Sequence, residues 1–165
     1  MRPFEGHGVI GCVCVAGAFL LGVIIMFTLK TTASFDSAHF LAGYEGKCSN
    51  IHGHHWVIEV RVSGRQLETE GVTRGMIIDF GDLKHEVRKL ADSFDHALLY
   101  ENGTLRSTTL EALREEGFCL IALPFRPTAE NFARHFYLML TGRGLPVRSV
   151  TVYETPENGA VYEED

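Results

Sequence analysis

From Phe27 onward, apolar and small side chains alternate with polar ones: Phe27, Leu29, Thr31, Ala33, Phe35, Ser37 and His39 share one parity. A period of two places them on one face of a strand. A second alternation, His52, His54, Trp56, Ile58, Val60 and Val62, predicts another strand over residues 52–62. Residues 41–51, which contain glycine and lysine, then form the connection of a long hairpin. After the Asp79-Phe80-Gly81-Asp82 turn the period changes, and Leu83, Val87, Leu90, Ala91 and Phe94 recur at helical spacing with charges on the other side. Thr108 and Glu111 have the spacing of a capping box and open a short helix that stops near Gly117. Residues 118–123 read as a short apolar strand or a buried connection. A helix from about Thr128 carries Phe132, Phe136, Met139 and Leu140 on its buried stripe and ends near Gly142. Residues 147–154 are a strand, residues 155–159 a turn, and residues 160–162 a last short strand. Strands, then helices, then strands make the fold class α+β.

Composition narrows the function. The 165 residues fit one domain, and a net charge of −6 lacks the basic face a nucleic-acid binder needs. The four cysteines, Cys12, Cys14, Cys48 and Cys119, suggest neither a disulfide framework nor a CxxC metal pair, so a reducing, cytoplasmic setting is expected. Residues 8–27 carry no charge and are long enough to cross a bilayer. Three readings follow: a membrane anchor, an export signal, or sequence ahead of a true start at Met26. The last is favoured, because the strand pattern begins at Phe27 and leaves no linker after a membrane helix. Residues 1–25 are therefore set apart as an apolar extension, and residues 26–165 as the working domain, without a membrane partner.

The chemistry concentrates in Cys48-Ser49-Asn50-Ile51-His52-Gly53-His54, with His39 upstream. His52 and His54 project from the same strand face, and a hairpin brings His39 opposite them. A lone histidine near a turn is an ordinary polar residue. Three with compatible directions point to Zn²⁺, with a fourth position left open for catalysis. His55 faces the other way and is assigned to the surface or to a supporting role. Cys48 follows Lys47 in a polar loop, where a nearby cation would make it a usable base or nucleophile. The adjacent Asp95 and His96 form a candidate pair. Glu154 ends a strand whose same-face neighbours are Val150 and Val152, and a carboxylate there needs donors. A ligand with an amidine-like edge supplies two; an exposed acid at a strand end is the plainer alternative.

These ordered motifs resemble the tunnelling-fold pterin synthases, the 6-pyruvoyl tetrahydropterin synthase superfamily. The match runs through Phe35-Asp36-Ser37-Ala38-His39, Cys-x3-His-Gly-His, residues 78–84, Phe94-Asp95-His96, residues 127–131 and residues 152–156. The Cys48–His52 interval is similar to that of bacterial 6-carboxytetrahydropterin synthases of the queuosine pathway. The resemblance implies an antiparallel four-stranded sheet with helices on one face. It also implies strands that close into a barrel in a homohexamer, with active sites between subunits. It implies zinc on His39, His52 and His54, and proton transfer by Cys48, Asp95 and His96. Glu154 is implied as the pterin anchor, with Thr128 and Glu130 nearby. The implied reaction, a carbon–carbon lyase step, converts 7,8-dihydroneopterin triphosphate to 6-carboxy-5,6,7,8-tetrahydropterin, acetaldehyde and triphosphate. The alternatives are the 6-pyruvoyl reaction and a noncatalytic zinc- or pterin-binding protein of the same fold.

Overall fold

The computed structural model describes residues 26–164. The apolar extension set apart in the sequence lies outside the described residues. Strands β1 (Phe27–His39) and β2 (His52–Gly64) form the expected long hairpin, paired antiparallel from Phe27↔Gly64 to His39↔His52. Helix α1 (Phe80–Asp92) starts where the Asp79 carboxylate accepts the Gly81 N–H at 2.6 Å. Then come β3 (Leu98–Glu101), α2 (Ser107–Glu115), β4 (Leu120–Leu123), α3 (Ala129–Gly142), β5 (Val147–Thr155) and β6 (Asn158–Glu163).

The sheet has six strands in the order β4-β3-β1-β2-β5-β6 and is mixed, which corrects the expectation of four antiparallel strands. The run β1-β2-β5-β6 is antiparallel as expected. β3 and β4 add a parallel pair on the β1 side, joined through α2. β3 is four residues long, and after a helix Ala97-Leu98-Leu99-Tyr100 has no alternation that would mark it as a strand. The capping box at Thr108 does not form either. α2 begins one residue before it, capped by Arg106 without a side-chain hydrogen bond.

The core-facing parity of β1 and β2 packs against α1 and α3. Phe35, Trp56, Ile58, Val60 and Val62 meet Leu83, Val87, Leu90, Phe132, Phe136 and Leu140, with Val150 and Val152 from β5. Phe132 is the pivot: its ring lies 5.2 Å from Trp56, edge to face, and 5.5 Å from Phe136, stacked. β3 pairs with β1 only at Ala38 and His39, so residues 27–37 of β1 have a strand on one side only. β6 is likewise an edge. Among the described residues, no helix is long and apolar enough to cross a membrane.

Phe132 is fully buried, whereas Val72 is 97% exposed. Phe132→Ala is expected to lose about 3–5 kcal/mol of stability through lost transfer energy and a residual cavity. Val72→Ala should stay within about 0.5 kcal/mol. Thermal and urea unfolding of the two variants check this; equal effects would contradict the packing described.

Candidate metal centre and adjoining cavities

The hairpin register does the first work at the site. His39 pairs directly with His52, and His54 follows on the same side of β2. The three rings cluster with centroids 4.5 Å (His39–His52), 5.1 Å (His39–His54) and 4.9 Å (His52–His54) apart. Trp56, fully buried, presents itself edge-to-face to His39 at 5.0 Å and to His54 at 5.3 Å, forming an apolar wall beneath them.

Two backbone carbonyls then settle which ring nitrogens face inward. His39 Nδ1 lies 2.7 Å from the Pro127 carbonyl, and His52 Nδ1 lies 2.8 Å from the Asn50 carbonyl. A carbonyl only accepts, so each Nδ1 carries the hydrogen and each Nε2 is left with a bare lone pair. Those two Nε2 atoms stand 3.1 Å apart. The buried His54 Nε2 has no hydrogen-bond partner. The Glu154 carboxylate, from the end of β5, comes within 3.3 Å of both His39 Nε2 and His54 Nε2. At His54 that approach is out of line for a hydrogen bond. The ligand atoms of His39, His52, His54 and Glu154 all lie within 4.8 Å of one another.

Burial favours the uncharged form of His39 and His54. Desolvation, opposed by the Pro127 hydrogen bond and reinforced by His52 and His54, brings the His39 pKa down to about 4. Desolvation also lowers that of His54, against the pull of Glu154. The Nε2 lone pairs of His39 and His52 and the Glu154 carboxylate face one point, where they repel one another unless a positive charge lies between them. The cluster can hold a metal ion.

A cavity of about 280 Å³ opens beside the cluster, lined by His39, Cys48, Thr128, Glu130 and Glu154. Cys48 sits in a single 3₁₀ turn, Lys47–Ser49, which is held by Leu41 N–H donating to the Cys48 carbonyl at 2.7 Å. Thr128 caps α3, its hydroxyl accepting from Asn131 N–H at 3.4 Å, while Glu130 occupies the first turn. Five of the sequence candidates thus share one cavity wall.

Asp95 and His96 are placed elsewhere within the chain. His96 lines a different groove, about 700 Å³, together with His54, His55 and Asp36. The two are a true pair: His96 Nδ1 lies 2.7 Å from Asp95 Oδ2, which raises the His96 pKa, while that of Asp95 is lowered first by the Asp36 N–H and then by this bond. His55, assigned to the surface or to a supporting role, is exposed, and its Nδ1 lies 2.9 Å from Asp36 Oδ1. Neither Asp36 nor the orienting carbonyls of Asn50 and Pro127 were singled out by residue type. The Asp36↔His55 pairing follows from the same register as His39↔His52, so the hairpin register was the signal that carried it.

Comparison with known proteins gives the chain its relatives. A 6-carboxy-5,6,7,8-tetrahydropterin synthase of Haemophilus influenzae is 39% identical over 145 residues, covering 84% of this chain and 100% of that protein. A protein of the same description from a Synechocystis strain is 32% identical, covering 83% and 93%. Among solved structures, an uncharacterized protein of Wolinella succinogenes superposes with a TM-score of 0.72 at 20% identity, covering 86% of this chain and 99% of that one. The 6-pyruvoyl tetrahydropterin synthase of Caenorhabditis elegans gives 0.61 at 25%, covering 86% and 98%. The family model for 6-pyruvoyl tetrahydropterin synthase matches residues 28–165, and the chain belongs to that family.

Proposed function

We propose that the protein is a zinc-dependent 6-carboxy-5,6,7,8-tetrahydropterin synthase acting in the cytosolic route to queuosine, with residues 26–165 as the catalytic domain. The observation that carries the metal is the convergence of the Nε2 lone pairs of His39 and His52, the partnerless Nε2 of His54 and the Glu154 carboxylate within 4.8 Å of one another. The donor set of three imidazoles suits Zn²⁺ and leaves a position for substrate. What favours the carboxy product is the description of the relatives at up to 39% identity, together with the Cys48–His52 interval. The C. elegans structure keeps the 6-pyruvoyl product as the second reading.

Zinc on His39, His52 and His54 would polarise the side-chain oxygens of 7,8-dihydroneopterin triphosphate and stabilise charge as protons leave carbon. The chain's own groups do the rest. Glu154 pairs with the guanidine-like edge of the pterin; two charge-assisted hydrogen bonds offset the desolvation of its carboxylate. Thr128 and Glu130 line the same cavity and fix the ring's orientation. Cys48, lining the same cavity, takes a proton from the substrate side chain. The Asp95–His96 pair passes protons, and its place on a separate groove of the single chain favours a site completed between subunits. The one-sided strand β1 and the edge strand β6 favour assembly by closing the sheet into a barrel, in a homohexamer.

The first expected outcome concerns metal. Purified protein should carry one zinc per chain, and His52→Ala should lose it. His39 must be neutral to bind, and its folded value near 4 lies below the unfolded 6.5, so the metal-free protein takes up protons there only by unfolding. Its stability should therefore fall as pH drops from 6.5 toward 4, and zinc should deepen the fall by being released over the same window. Elemental analysis and thermal melts check both. Unchanged zinc in His52→Ala would remove the assignment.

The second concerns product. Incubation with dihydroneopterin triphosphate, followed by mass analysis, should give the carboxy compound and acetaldehyde. Cys48→Ala should lower turnover by about 10²-fold or more while zinc stays bound. The pyruvoyl compound alone would select the second reading, and binding without turnover would make the protein noncatalytic.

A further inference from the structure

Among the described residues, His96 is the one non-glycine residue with a left-handed backbone, at φ 53°. Such a conformation is disfavoured for a residue with a Cβ and persists where surrounding contacts over-determine it. Here the contacts come from β1. Asp36 receives the His96 N–H on its carbonyl at 2.7 Å, and its own N–H donates to Asp95 Oδ1 at 2.8 Å. The Ala38 N–H donates to the Ala97 carbonyl at 3.0 Å.

Between those two residues lies Ser37, whose side chain points into the core at 6% exposure. A buried hydroxyl needs partners, and Ser37 finds both in this turn. Its Oγ–H donates to the Phe94 carbonyl, and its oxygen accepts the Ala97 N–H at 3.4 Å. These are the residues immediately before Asp95 and immediately after His96. One hydroxyl therefore ties together the two ends of the turn whose exposed middle carries the proton-transfer pair.

We propose that Ser37 is a positioning residue: its hydroxyl clamps residues 94 and 97 and so holds the left-handed turn that folds His96 Nδ1 onto Asp95 Oδ2. The clamp keeps the Asp95 carboxylate shared between the Asp36 N–H and the His96 ring, and it fixes the imidazole where it lines the groove beside His54. Without it, Phe94 O and Ala97 N–H lose their shared partner and the turn has a route to relax away from φ > 0. The part of this inference that concerns turnover rests on the proposed reaction; the part that concerns the turn does not.

The test uses the metal-loaded protein with labelled histidine. In the wild type, His96 titrates above its ordinary value because Asp95, and more distantly Asp36, face it; of the other rings lining the groove, His55 is itself paired with Asp36 and His54 lies against Glu154. In Ser37→Ala, the His96 titration should fall back toward about 6.5, and exchange of the Ala97 amide should speed up about tenfold or more. Turnover should drop about tenfold in kcat with KM and zinc content unchanged, the signature of a displaced proton-transfer group. Ser37→Thr, which keeps the hydroxyl, should restore all three. Ser37→Cys, close in size with a weaker donor, should fall between and serves where the alanine variant does not fold. An unchanged His96 titration and Ala97 exchange in Ser37→Ala or Ser37→Cys overturns the clamp. Altered titration with unchanged kcat overturns its role in catalysis. Altered titration in a protein whose wild type shows no turnover upholds the clamp and refutes the proposed reaction instead.

Discussion

Everything at the centre depends on lone pairs that face one another. Imidazole nitrogens 3.1 Å apart, each with its hydrogen committed on the far side of the ring, cannot hydrogen-bond to each other. The nearby carboxylate adds a further acceptor rather than a donor. A fold that holds such a cluster against a fully buried tryptophan wall can hold a cation there. The carbonyls of Asn50 and Pro127 are as much a part of that arrangement as the rings, because they choose the tautomer. Pro127 precedes Thr128, the cap of α3, so the helix start and the ligand orientation are fixed by the same few residues.

β1 is the common rail. Its last four residues carry, in order, the backbone groups that hold Asp95 and His96, the Ser37 hydroxyl, a pairing with β3, and a candidate metal ligand. Small shifts of this segment would move the histidine cluster and the Asp95–His96 pair together. The deep packing of Phe35 against Trp56, Phe94 and Phe136 opposes such shifts. The core thus acts on the histidine cluster through position.

The long hairpin was legible in the sequence because thirteen-residue strands give alternation many chances to show itself. The directions of His39, His52 and His54 followed from the same parity. β3 was not legible: four residues between a helix and a turn leave no period to read, and their partners on β1 and β4 are distant in sequence. Glu154 was found as a strand-end acid in need of donors, but its 3.3 Å approach to two imidazoles is a tertiary fact. Ser37 and Asp36 stood inside a quoted motif with no role attached, since what they hold is fifty-odd residues away in the chain and reached only through folding.

The most direct test is crystallographic. In an anomalous difference map recorded at the zinc edge from zinc-loaded crystals, a single peak should lie about 2.0–2.1 Å from Nε2 of each of His39, His52 and His54, with Glu154 turned toward the pterin cavity and outside that distance. A peak bound through Nδ1, a peak elsewhere in the chain, or no peak at the cluster would contradict the account.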